Sequence, residues 1–183
     1  PKVAEDMQLL DRGVQFSLTS KRPNAYYEVQ TQILPGNRPF VWWPDPNQMH
    51  AEIAQHSEAD AAAWPKWNFF WNEAADLIGP YLLTPPPTLG NLMERAQKTG
   101  REQLLTTLMT TSLAAMADRF FESDVMRNQV FSPGDMGSLY DTGTSFAEAI
   151  GAAMGSYSET GRPAPGGYVQ GGMGSITTAM AEA

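Results

Sequence analysis

Phe40-Val41-Trp42-Trp43-Pro44-Asp45-Pro46 is the stretch at which the hydrophobic period of the chain changes, and that change decides the fold class. The first four residues are large, apolar β-formers. Asp45 then offers a capping carboxylate just ahead of Pro46, whose fixed φ suits the first turn of a helix. On the N-terminal side the residues alternate. Val14, Phe16 and Leu18 point one way while Gln15, Ser17 and Thr19 point the other, and Tyr27, Val29, Thr31 and Ile33 repeat the pattern. Pro35-Gly36-Asn37 supplies turn chemistry before the next strand. Residues 1–44 therefore read as a small antiparallel sheet.

On the C-terminal side the period is that of helices. The first should run from Pro46 to Gln55 or His56, and Ser57 with Asp60 three positions on approximates a capping box for the second. That second helix carries Trp64, Trp67, Phe70, Trp71, Ala74, Leu77 and Ile78 on one broad apolar face, with Pro65 as a source of bending in its early turns. Gly79-Pro80 and Pro85-Pro86-Pro87 end the run in a stiff extended connection. A short helix over 89–98 follows. The strongest helical segment spans Arg101 to Phe121, where Leu104, Leu105, Leu108, Ser112, Ala115 and Arg119 recur at steps of three and four and should pack on the aromatic helix. Short helices are expected over 124–130 and 145–154, separated by the turn Ser132-Pro133-Gly134-Asp135. The fold class is thus α+β: a small antiparallel sheet near the N-terminus, then a predominantly helical part over 45–166, with no internal repeat.

Composition narrows the function classes. At 183 residues the chain can build one domain with a sizeable core. Its 12 basic against 20 acidic residues, a net charge of −8, leave no basic stripe to track phosphates, so no nucleic-acid partner is expected. The absence of cysteine removes disulfides, thiolate catalysis and cysteine zinc sites, and suits a reducing cytoplasm. His50 and His56, six apart, have no metal-ligand spacing, and no metal site is expected. Glu122, Asp124 and Asp135 read as capping and solvated turn carboxylates, and Ser132 and Ser175 have no histidine at an interpretable position. No catalytic residue can be assigned. Trp64, Trp67, Phe70 and Trp71 read as core.

The one stretch with the composition of a ligand-approaching backbone lies near the C-terminus. Gly167-Tyr168-Val169-Gln170-Gly171-Gly172-Met173-Gly174-Ser175 leads glycines into a helix-like segment, and only glycine lets backbone come that close to another group without steric penalty. This segment resembles the Gly-Tyr-Val-Gln-Gly-Gly-Met-Gly segment of phytoene-dehydrogenase-like flavoproteins, the group that includes carotenoid desaturases. Two further blocks resemble the same family in the same order: Ile53 to Ala61 followed by Trp64-Pro65-Lys66-Trp67, and Asp118-Arg119-Phe120-Phe121-Glu122-Ser123. The resemblance covers most of the chain from about Pro46 onward; the first forty residues match poorly, and 130–157 departs from the family pattern.

The resemblance implies a substrate-binding, or cap, region of a larger FAD oxidoreductase, spanning 1–183, with 167–183 returning the chain to the flavin domain. It places Gly171, Gly172, Met173 and Gly174 near the flavin and Tyr168, Gln170 and Met173 against an apolar carotenoid, retinoid or lipid-like substrate. FAD is expected in the parent and none on this chain by itself, because a Rossmann Gly-x-Gly-x-x-Gly is missing here. A start at Pro1 and an end within a helical pattern at Ala183 read as fragment boundaries. The expected partners are the substrate, the FAD-binding domain of the same parent chain and, for a lipid-like substrate, a peripheral membrane surface. The competing reading is a non-catalytic helical module that binds a partner protein or an apolar ligand.

Overall fold

The computed structural model describes residues 7–17, 30–43, 45–130, 138–156 and 168–182. The elements are strands β1 (Phe16–Ser17), β2 (Gln30–Leu34) and β3 (Arg38–Trp42), helices α1 (Pro46–Ala54) and α2 (Glu58–Ile78), a single 3₁₀ turn over Gly79–Tyr81, helices α3 (Leu89–Thr99), α4 (Glu102–Thr110), α5 (Leu113–Phe120), α6 (Asp124–Gln129) and α7 (Thr144–Ser156), strand β4 (Tyr168–Val169) and helix α8 (Gly174–Ala181). This is the α+β class expected. The chain divides into two compact units, one formed by Pro1–Pro46 with Tyr157–Ala183 and the other by Asn47–Ser156.

In the first unit, β2 and β3 form the antiparallel hairpin that the sequence predicts, with Leu34 opposite Arg38. Pro35 holds the second position of the connecting turn and Gly36, at φ +84°, the third, while the Asn37 N–H donates to the Leu34 carbonyl at 3.1 Å. The left-handed third position is what a type II turn demands. Thr31 and Ile33 lie on the outward face, Ile33 being 65% exposed, because Phe40 sits directly across from Gln32 on the other face. Phe40 is fully buried and packs edge-on to Trp42 at 5.2 Å, so the bulkiest side chain chooses which face of the hairpin turns inward. Tyr27 and Val29 lie outside the described residues. The strand read around Phe16 does not join this hairpin: β1 pairs antiparallel with β4, Phe16 opposite Val169 and Ser17 opposite Tyr168. One sheet was expected; two separate two-stranded sheets are present among the described residues.

The second unit is helical. Ser57 caps α2 by accepting the Asp60 N–H at 3.1 Å, and the helix runs without interruption through Pro65 for 21 residues. Trp67 and Trp71 are buried and Trp64 and Phe70 half-buried, and Trp64, Trp67 and Phe70 meet Phe120 or Phe121 at ring separations of 5.2–6.4 Å, so the aromatic stripe packs on the end of α5 with its two central tryptophans in the core. Helix α7 packs most extensively on α2 and also against α4 and α5. The segment 101–121 is two helices rather than one. Thr111 is extended, at φ −114° and ψ 138°, and Ser112 caps α5 by accepting the Ala115 N–H at 3.1 Å. The break rotates the buried face: Leu113, Met116 and Ala117 are inside, while Ala115 and Arg119 are exposed. The loop before α7 completes the N-terminus of α5, with the Leu113 N–H donating to Thr144 Oγ1 and the Ala114 N–H to the Leu139 carbonyl. The turn at 132–135 lies outside the described residues.

Candidate functional site

The glycine segment is built on the β1–β4 pair. After β4, the Gln170 N–H continues the ladder by donating to the Gln15 carbonyl at 2.8 Å, and the Gly172 N–H turns back to the Val169 carbonyl at 3.0 Å. Gly171 and Gly172 have φ of +81° and +82°, a pair of left-handed residues that most side chains would strain. The turn then enters α8, where Ser175 N–H donates to the Gly172 carbonyl at 3.1 Å and its hydroxyl to the Gln170 carbonyl at 3.1 Å. Beneath the turn lies a small core of Leu9, Val14, Val169 and Ala179, with Met7 and Ile176 packed on it. Arg12 ties the two ends of the unit together, donating to the Met7 and Glu182 carbonyls at 3.1 and 2.7 Å.

The residues singled out in the sequence occupy different situations on this scaffold. A Cβ on Gly171 would stand 2.7 Å from Ser175 Oγ, so the missing side chain there is explained by the turn's own packing. Positions 172 and 174 are open, with nothing within 4 Å of a Cβ at either. Met173, between them, is 70% exposed, and Gln170 is exposed as well. Gly172, Met173 and Gly174 thus share a bare, uncharged outer surface of the turn. Tyr168 contributes backbone to the pairing with Ser17, and its side chain lies outside the described residues.

A second constellation escaped the sequence reading. Asp60 is 1% exposed, and its two carboxylate oxygens accept the backbone N–H groups of Glu122 at 2.7 Å and Ser123 at 3.0 Å. Ser57 Oγ meanwhile donates to Glu122 Oε1 at 2.7 Å. Asp60 therefore does not close a capping box on its own helix; it holds the α5–α6 turn instead. Ser123 caps α6 by accepting the Met126 N–H, and Arg127 donates to the Glu122 carbonyl at 2.6 Å and to Asp118 at 3.2 Å. The two sequence blocks around Asp60 and around Glu122 are thereby one structural lock. Its parts are satisfied by one another, which marks a scaffold rather than a reacting centre.

Elsewhere Arg101 grips Glu73 in a two-pronged pair at 2.9 and 3.1 Å, with Asp76 at 3.7 Å. The hydrogen bond from Arg101 holds the Glu73 carboxyl below its ordinary value of 4.5, and the same bond raises Arg101. Among the described residues no three His, Asp or Glu side chains are grouped to hold a metal ion. His50 is exposed on α1 and His56 is half-buried in the turn after it. Asp135 and Ser132 lie outside the described residues. No helix of the described residues is long and apolar enough to cross a membrane.

Comparison with known proteins gives a distant likeness. The chain is 24% identical to pyridine nucleotide-disulfide oxidoreductase domain-containing protein 2 of Rattus norvegicus over an alignment of 203 positions that takes in 99% of the chain. It spans only 34% of that relative's length. No family model matches the chain, and no solved structure matches it. The likeness is to a distant oxidoreductase-related protein.

Proposed function

We infer that the chain is the substrate-binding region of a phytoene-dehydrogenase-like FAD oxidoreductase acting on an apolar carotenoid, retinoid or lipid-like substrate. The observation that carries this reading is a single alignment that takes in nearly the whole chain yet one third of a relative named for an oxidoreductase domain. The topology supports it. The excursion from Ser17 to Tyr168 leaves and returns through paired strands, the arrangement by which a domain can be inserted into another. So does the glycine turn, whose outer surface at Gly172, Met173 and Gly174 is free of side-chain obstruction.

Those three residues fit a flat group laid against the turn, and they are the residues that would abut FAD; Gly171 serves the turn itself. FAD, when bound, would supply the redox chemistry by taking up a hydride or its equivalent from the apolar substrate. This chain would bind the substrate, orient it and exclude water, with the exposed Met173 side chain offering an adaptable apolar contact.

Gly174 provides the test, because its φ lies outside the left-handed region and a side chain there meets nothing. Gly174→Leu should leave the thermal unfolding of this chain within about 1 kcal/mol of the parent sequence. In the flavoprotein expressed from the full reading frame, the same substitution should slow anaerobic flavin reduction by an apolar polyene at least about tenfold. A full-length product without bound flavin, or one whose reduction rate ignores the substitution, would overturn the assignment.

A further inference from the structure

The glycine turn is tied to the helix that follows it through one side chain. Two backbone bonds fold the turn: the Gly172 N–H donates to the Val169 carbonyl at 3.0 Å, and the Ser175 N–H to the Gly172 carbonyl at 3.1 Å. Gly172 thus ends one four-residue turn and begins the next. The N-cap of α8 is Met173, at φ −60° and ψ −24°, and it makes no side-chain capping bond. A thioether is a weak acceptor, so the usual reach of a cap side chain into the first helical turn is lacking. Ser175 supplies the tie from the opposite direction. Its hydroxyl, in the second residue of α8, donates back to the Gln170 carbonyl at 3.1 Å. Among the described residues no other side-chain hydrogen bond joins residues 170–173 to α8.

The same hydroxyl decides what residue 171 can be. Gly171 has φ of +81° and is the third residue of the Val169–Gly172 turn. A Cβ there would stand 2.7 Å from Ser175 Oγ but 4.0 Å from Ser175 Cβ, and apart from its chain neighbours nothing else lies within 4 Å. The crowding comes from the oxygen alone. Glycine at 171 is therefore required twice, by the left-handed backbone and by the approach of the hydroxyl. The outer surface at Gly172, Met173 and Gly174 has no such neighbours: a Cβ at 172 or 174 meets nothing within 4 Å, and Met173 is 70% exposed. Its placement is left to the hydrogen bonds of the turn, in which Ser175 takes part through both its N–H and its hydroxyl.

We propose that Ser175 is a positioning residue for the flavin contact, its hydroxyl locking the backbone from Gln170 to Gly172 so that Met173 is held in one place. The inference rests on the reading that Gly172, Met173 and Gly174 abut FAD. A misplacement of about 1 Å can cost a reaction about a hundredfold in rate, so one neutral hydrogen bond in this turn matters more to the chemistry than to the fold.

Two measurements test this, the first without flavin. In the 183-residue chain, Gly171→Ala should lower amide-exchange protection over residues 168–182 at least about tenfold, and the same substitution made on Ser175→Ala should cost less. The left-handed strain is common to the two backgrounds and the clash with the hydroxyl is not, so equal losses in both would overturn the proposal. In the flavoprotein expressed from the full reading frame, Ser175→Ala should retain flavin and slow its anaerobic reduction by an apolar polyene at least about tenfold. Ser175→Thr, which restores the hydroxyl, should recover the rate. An alanine variant that reduces at the parent rate or purifies without flavin, or a threonine variant as slow as the alanine, would overturn the positioning role. Gly174→Leu measured alongside separates this role from the reading beneath it. If Gly174→Leu slows reduction and Ser175→Ala does not, the flavin contact stands and the lock falls; if neither slows it, both fall.

Discussion

Asp60 is the residue on which the helical unit turns. A buried carboxylate that accepts two backbone N–H groups cannot be truncated without leaving both donors dry, so Asp60→Ala should lower the unfolding free energy by about 3 kcal/mol in urea denaturation. Asp60→Asn keeps one acceptor oxygen and should cost less than the alanine. A loss below about 1 kcal/mol for the alanine would show that the α5–α6 turn finds other partners. Glu73 makes a different statement. Its folded carboxyl is held below the ordinary 4.5 by the Arg101 hydrogen bond, so the pair stabilises the fold fully above that value. The contribution is lost as the pH falls through the depressed folded value. The stability difference between the parent chain and Glu73→Gln should accordingly be larger at about pH 6 than at about pH 3. A difference that is flat or grows on acidification would contradict the pairing. This residue-scale chemistry was hidden in the sequence, because 62 positions separate Asp60 from Glu122 and 28 separate Glu73 from Arg101.

Pro65 and Ser112 show how local signals compete within elements. Pro65 lacks the N–H that would continue the α2 ladder, yet the helix passes through it because the aromatic stripe on either side is locked against Phe120 and Phe121. Pro65 is exposed, so Pro65→Ala restores a helical hydrogen bond at no packing cost and should raise the melting temperature, by up to about 3 kcal/mol in stability. A fall in stability would mean that the proline shapes the helix in a way the core requires. Ser112 decides the opposite case: its cap on α5 wins over the apolar period that otherwise runs on from α4. The elements whose determinants are close in sequence were legible, namely the β2–β3 turn, the start of α2 at Ser57 and the aromatic face. The break at Thr111 was not, since neither glycine nor proline marks it and Leu108 and Ser112 keep helical spacing across it. The β1–β4 pair was illegible for a stronger reason: alternation around Phe16 declares a strand but cannot name its partner Val169, 153 positions on.

At the scale of the molecule two cores matter, and they separate the parts of the candidate site. The glycine turn rests on the small core of Leu9, Val14, Val169 and Ala179, whereas the Asp60 lock and the aromatic stripe belong to the helical unit. The glycines were legible as an unusual backbone from sequence alone. That Gly171 serves the turn while 172 and 174 face outward needed Ser175 to be placed beside it. Among the described residues this cluster holds four small and medium buried side chains, so a charge in it should undo the segments packed on it. Val169→Asp, at a buried position of β4, should abolish amide-exchange protection over residues 7–17 and 168–182. Protection in α2, α5 and α7 should persist, because these helices belong to the other compact unit and carry buried residues of their own. Loss of protection throughout would mean that the two units fold as one cooperative body, and the glycine turn would then be coupled to the helical core rather than carried on a foundation of its own.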